Sequence, residues 1–325
     1  MKNFTCSCGQ TLFFENTRCL HCGCQTGFDP SDFQMHTIPD HPGKRLCKNS
    51  VDFDVCNWVV SRPKSSYCVS CELNHTIPNL IQAHRRRWWK SLEHAKRRLI
   101  YSLLSLQLPI IGSKQEVGGL AFEFIEDKRT NPEVFEEHVN TGHDNGLITI
   151  NIAEADCVSR EITRQYTGEL YRTLLGHFRH ESGHYFFTRL VTSESIVNDF
   201  RILFGDERQD YSVALRNYYA NKSSMVRDPE LISHYAQAHP LEDWAEVWSH
   251  YLHMVDTLET AAEFNVQHGS TQLDNIDQML SKWSGLSIML NSLNRSMGLE
   301  DAYPFVLSEL TLRKLRFVHG LIYPS

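Results

Sequence analysis

The chain has 325 residues, of which 41% are hydrophobic and 22% charged, long enough and apolar enough to bury a full core, which excludes a disordered or fibrous protein. No run of about 18 apolar residues occurs, which excludes a membrane-spanning helix. The formal net charge of −7 is unevenly spread: residues 1–100 carry 14 Lys and Arg against 8 Asp and Glu, and the remainder 18 against 31, so a basic front joins an acidic body.

The first residues, "MKNFTCSCGQ", hold a cysteine pair where a secretory signal would need an apolar stretch, and a cytoplasmic protein is expected. Nine of the ten cysteines lie before residue 72; only Cys157 falls in the body. Clustered cysteines in a reducing compartment favour zinc over disulfides. The first cluster, Cys6 and Cys8, then Cys19 and Cys22, pairs two tight turns across a hairpin-length segment, which can close a tetrahedral four-sulfur site as in a zinc ribbon. Gly9 and Gly23 cap the two turns, as a tight knuckle prefers, and Cys24 is the spare. Cys47, Cys56, Cys68 and Cys71 form a second set in which only the last pair is tightly spaced, so one or two structural zinc ions are expected. The cysteines stop at Cys71, and the boundary is drawn between a double zinc-ribbon module, 1–78, and a body, 79–325.

Between Pro78 and Pro109, Trp88, Leu92, Ala95, Leu99, Leu103 and Leu106 recur every three or four residues. The spacing predicts a long helix with one buried stripe and a basic opposite face. Its arginines fit a nucleic-acid contact, but a solvated face pairing with the acidic body is the simpler reading, because the tryptophans serve better as core. "GLAFEFIED" and "GLITINIAEA" read as strands, the second preceded by a turn at 142–146. From Tyr171 the pattern turns helical and carries "GHFRHESGHYF".

Within it His180 and His184 are four residues apart, about 400° around a helix, so two imidazoles can face one metal ion. Glu181 lies about 100° round from His180, able to reach an activated water without being a ligand. For a third ligand the chain offers "HPLEDWAEVWSHYLHM". Pro240 suits a first helical turn, where Glu242 would sit at the positive end of the helix dipole. One turn on, Glu246 can accept the second ring N–H of a ligating histidine. The rival third ligands are Asp206 and Glu207 in "FGDERQD", and after them Asp243 and Glu246; Arg201 and Arg208 make salt bridges the alternative for the first two. His177, His250 and His253 are read as satisfied structural groups.

The pairing of "HESGH" with "EDWAE" resembles the gluzincin metallopeptidases, and "SHYAQAHPLEDWAE" is similar to the catalytic region of anthrax lethal factor-like proteases. The whole chain, with its cysteine-rich front, "LLGHFRHESGHY", "FGDERQDY" and "HPLEDWAEVWSHYLHM", is similar to bacterial zinc-binding metallopeptidases that carry an N-terminal zinc ribbon. The resemblance implies an α+β fold with a mainly helical, zincin-like domain and a small sheet. It implies a catalytic zinc on His180, His184 and Glu242, with Glu246 orienting a histidine. Tyr235 would stabilise the oxyanion, and Glu181 would take the proton as a zinc-activated water attacks a peptide bond. The rival functions are a zinc-ribbon binding module, for nucleic acid or protein, with an inactive body, and a metal-dependent amidase acting on non-peptide substrates.

Overall fold

The computed structural model describes residues 2–222, 224–266 and 274–324. The fold is α+β, a cysteine-rich front of short hairpins followed by a mostly helical domain. It divides into two compact units, 1–163 with 173–178, and 164–172 with 179–325. Among the described residues no helix is long and apolar enough to cross a membrane.

The first unit opens with two antiparallel hairpins, β1 (Phe4–Thr5) with β2 (Thr11–Leu12) and β3 (Thr26–Asp29) with β4 (Gln34–Thr37). Strands this short cannot bury a core alone. Phe4, Leu12, Phe14, Phe28 and Trp58 are buried together, with Phe14 and Phe28 edge to face at 5.0 Å and Phe28 5.1 Å from Trp58. A short helix, α1 (Lys48–Phe53), follows, then strand β5 (Asn74–Thr76) and the long helix α2 (Ala83–Ser105). Tyr101 of α2 reaches Phe14 at 5.2 Å, so the cysteine-rich front and this helix share one aromatic core.

Helix α2 carries the expected apolar stripe, with one correction: Trp89 is fully buried and Trp88 only partly. Its basic face is also less solvated than the sequence suggests. Arg86, Arg87 and Lys90 are exposed, but Arg85, Lys96 and Arg97 are buried. Arg85 pairs with Glu126 at 2.6 Å, Lys96 with Glu93 at 2.9 Å, and Arg97 donates to the Val55 carbonyl at 2.6 Å. Buried charge is tolerated only when paired, and each of these has its partner inside the unit.

Strands β6 (Ala121–Ile125), β7 (Gly142–Asp144) and β8 (Leu147–Asn151) complete a four-stranded sheet of order β5-β6-β8-β7. The first three run parallel and β7 antiparallel, so the expected turn before β8 begins as a strand. The connection after β6 is held by Asp127, whose carboxylate accepts from Arg129 Nε at 2.9 Å, Val139 N at 3.0 Å and Asn151 Nδ2 at 2.6 Å.

Helices α3 (Cys157–Thr167) and α4 (Leu174–Leu190) run across the division. In the second unit follow α5 (Glu194–Phe204), α6 (Tyr211–Asn221), α7 (Pro240–Glu263), α8 (Ile276–Ser296) and α9 (Glu309–Ile322). Helix α7 is central and packs against α5, α8 and α9; Trp244, Val247, Trp248, Tyr251, Leu252 and Leu258 on it are fully buried. It crosses α4 where both backbones are thinnest. A Cβ on Gly183 would stand 3.0 Å from Ala245 Cα and 3.1 Å from Trp248, closer than ordinary contact, so any larger residue would have to push the neighbouring helix back by a few tenths of an ångström. Two indoles clamp the crossing: Trp244 Nε1 donates to the Gly183 carbonyl at 2.8 Å and Trp248 Nε1 to Ser182 Oγ at 3.1 Å.

Two outcomes are expected. Gly183→Val should lower stability by about 1–3 kcal/mol through overpacking, read as a fall in the urea midpoint. Asp127 is held down to about 2, burial opposing and Arg129, Val139 N–H and Asn151 prevailing. A carboxyl depressed in the folded state stabilises above its unfolded value and loses that contribution as pH falls through its folded value. Stability should therefore decline from about pH 4 towards pH 2, and Asp127→Asn should flatten that part of the profile.

Candidate metal centre

The crossing of α4 and α7 decides where the polar side chains of both helices go. With Ser182 and Gly183 turned into the contact, His180 and His184 lie one turn apart on the same face, ring centroids 5.1 Å apart. On α7, Trp244 and Ala245 fill the contact and Glu242 projects from the first turn. That turn is well made: His239 caps it, its Nδ1 accepting from Leu241 N at 3.1 Å, and Pro240 follows. The helix dipole there favours a carboxylate.

A ligand atom each of His180, His184 and Glu242 lie within 4.8 Å of one another. Glu242 is almost wholly buried. Its Oε2 is 3.0 Å from His180 Nε2, and its Oε1 is 3.5 Å from His184 Nε2. The other nitrogen of His180, Nδ1, meets Glu246 Oε1 at 2.7 Å. An ionised Glu246 can only accept, so Nδ1 carries a proton, and if that is the ring's only proton Nε2 turns its lone pair towards Glu242. Two electron-rich atoms at that separation require a cation between them or on the ring. Burial opposes charging His180, yet Glu242 and Glu246 on either side hold its pKa well above the ordinary range. Burial likewise opposes ionising Glu242, and the two histidines hold it well below the usual carboxylate range. Two imidazole nitrogens, one buried carboxylate and a carboxylate behind the first histidine are a donor set that fits zinc.

Glu181 is buried. Burial, the Glu242 carboxylate and the Glu181 charge together push the Tyr211 phenol up. Tyr235 sits on a 3-10 turn, Tyr235–Gln237, just before α7. Its ring lies 5.9 Å from that of His180, and burial with the Glu242 charge pushes its phenol up.

The rival carboxylates are engaged elsewhere. Asp206 is held by Arg208 at 2.8 Å and Glu207 by Arg201 Nε at 2.9 Å, while Asp243 pairs with buried Lys314. His177 meets Glu154 at 3.2 Å and His250 meets the Tyr303 hydroxyl at 2.9 Å; burial holds the His250 ring down to about 4. One contact had no counterpart in the sequence reading: the Tyr211 hydroxyl donates to Glu242 Oε1 at 2.5 Å. Its only sequence signal is Asp210, a helix cap that fixes where α6 starts and accepts from Val213 N at 2.9 Å.

The two cysteine sets each draw together as well, Cys6, Cys8, Cys19 and Cys22 in one and Cys47, Cys56, Cys68 and Cys71 in the other. Sulfur–sulfur separations are 3.6 Å for Cys6 and Cys22, 3.7 Å for Cys8 and Cys19, and 3.7 Å for Cys56 and Cys68. Zinc–sulfur bonds of about 2.3 Å give a tetrahedral edge of about 3.8 Å, whereas a disulfide would need about 2.05 Å. The first set has Cys8 and Cys22 exposed, and the second is wholly buried. Cys24 lies outside both sets. A further group, Asp29, Asp32 and His36, already has the cation of Lys44, at 2.6 Å from Asp29 and 3.3 Å from Asp32.

Residues 85–321 match the model of a family described as "Putative zinc-binding metallo-peptidase", and residues 3–82 match a zinc-ribbon domain. The chain belongs to this metallopeptidase family. It is 41% identical over 333 residues to uncharacterized proteins of Mycobacterium bovis and Mycobacterium tuberculosis, covering 99% of this chain and 95% of each relative. No solved structure matches it. A zinc-binding family, an N-terminal zinc ribbon and two four-cysteine groups together make zinc the metal of this protein.

Elemental analysis should find about three zinc ions per chain, falling to about two in His180→Ala/His184→Ala. An unchanged count in the double variant would mean that the body holds none.

Proposed function

We propose that the protein is a zinc-dependent peptidase, with one catalytic zinc held by His180, His184 and Glu242 and a structural zinc in each cysteine set. The observation that carries this reading is the convergence of three ligand atoms from two helices, one of them a buried carboxylate, within 4.8 Å. Zinc bound there supplies Lewis acidity, acidifying a water molecule and polarising a carbonyl. Glu246 holds the His180 Nδ1 proton, which keeps Nε2 available as a ligand. Glu181 takes a proton from the attacking water on its carboxylate and returns it to the leaving amine, as a general acid–base must. The Tyr235 hydroxyl donates to the oxygen on which negative charge develops; its raised pKa keeps that proton in place.

The substrate is a peptide or protein, and four-thiolate zinc sites suit a reducing compartment, so we assign the protein to the cytoplasm. The burial of Arg85, Lys96 and Arg97 favours a structural role for α2 over a nucleic-acid contact. On this reading, a functional boundary near residue 78 separates the ribbon module from the peptidase domain.

Glu181→Gln should keep the full zinc complement and lower hydrolysis of a peptide library by about 10²–10⁴-fold, the usual contribution of a positioned base. Full activity in that variant would remove Glu181 from the mechanism. Turnover confined to small amides would favour a non-peptide amidase. A protein that cleaves nothing while residues 1–100 bind RNA or DNA in a salt-sensitive manner would favour a binding module.

A further inference from the structure

The segment Asp206–Tyr211 supplies no ligand to the metal centre, yet it is tightly built. Arg208 and Arg201 hold Asp206 and Glu207, and Asp210 caps α6. The segment is also fastened to the start of α7: His239 Nε2 donates to the Gln209 carbonyl at 3.1 Å, and the Tyr211 ring stands edge-on to His239 at 5.2 Å. His239 therefore caps α7 with one nitrogen and holds this corner with the other. The corner delivers one polar group to the centre, the Tyr211 hydroxyl on Glu242 Oε1.

We propose that Tyr211 is a positioning residue of the metal centre, occupying Glu242 Oε1 so that Oε2 is presented to zinc. The proposal rests on the zinc reading above. Glu242 is 1% exposed, so bulk water does not reach its second oxygen. His180 and His184, whose Nε2 atoms lie 3.0 and 3.5 Å from its oxygens, are the rings that turn to the metal. Once they do, the phenol is the hydrogen-bond donor left to Oε1, and it fixes the carboxylate's rotation about its own axis. A carboxylate free to rotate would lose a defined ligand oxygen, and a buried oxygen without a donor costs the affinity that outer partners of metal ligands typically supply.

The test is zinc retention by the full chain against a graded chelator, reading the most readily lost ion, for the native protein, Tyr211→Phe, Tyr235→Phe, Glu242→Ala and Tyr211→Phe/Glu242→Ala. Tyr211→Phe should weaken retention by about 10–100-fold. Tyr235→Phe should retain zinc like the native protein. The double variant should match Glu242→Ala, because the phenol acts only through that carboxylate. Native-like retention in Tyr211→Phe, with loss in Glu242→Ala, would overturn the role of Tyr211 and leave the zinc site standing. A lower melting temperature with unchanged retention would make the contact merely structural. If Glu242→Ala and His180→Ala/His184→Ala also retain every ion, the zinc reading falls and this proposal falls with it.

Discussion

The close approach of α4 and α7 at Gly183 and Ala245 is the constraint on which the site depends. Between the two histidines, Ser182 and Gly183 face the neighbouring helix; between the two glutamates, Asp243, Trp244 and Ala245 make the buried contacts. The residues that separate the ligands are thus the ones that set the distance between the helices. A side chain larger than hydrogen at position 183 would have to push against the backbone of Ala245, and protein interiors relax poorly under such a load. The indole N–H bonds of Trp244 and Trp248 add direction to this packing. They resist rotation of one helix about its own axis, which would swing the histidines away from Glu242.

The same economy governs buried charge. Three body carboxylates that leave water near the crossing face a cation or a donor: Asp243 has Lys314, Glu246 has His180, and Glu242 has both histidines and Tyr211. In the first unit Glu93 is treated alike, accepting from Trp89, Asn74 and Lys96. These pairs add little net stability, because desolvation offsets most of the attraction. Their effect is to make one arrangement of the helices far better than its neighbours, which a metal site with fixed ligand geometry requires.

How much was legible in the sequence follows from the range of each interaction. The histidine pair and the two glutamates could be read because helical spacing alone places them, and the cysteine sets because short loops bring thiols together whatever else the chain does. Trp88 and Trp89 could not be told apart, since adjacent residues flank the same stripe. The basic residues of α2 read as solvated because their partners, Glu126 and the Val55 carbonyl, lie 41 and 42 residues away. Strand β7, Gly142–Asp144, has no apolar alternation and exists because β8 offers it an edge. Tyr211 was invisible for the same reason: its partner is 31 residues on, and nothing local distinguishes it from any other tyrosine at a helix start.

The two kinds of cluster stand in opposite relations to folding. The cysteine sets span few residues and sit beside strands of two to four residues, a six-residue helix and a 3-10 turn, elements too small to hold four thiolates together unaided. On the proposed reading, zinc bound there would contribute folding free energy. In the body the order is reversed. His180 and Glu242 are 62 residues apart, and helices packed through tryptophan bring them together, so the fold prepares the site. On the proposed reading, a site prepared by packing would hold three ligands and leave a position open on the ion, whereas four thiolates would close around theirs. Chemistry at the ion needs the first arrangement, and within this chain only the pair of helices α4 and α7 provides it among the described residues.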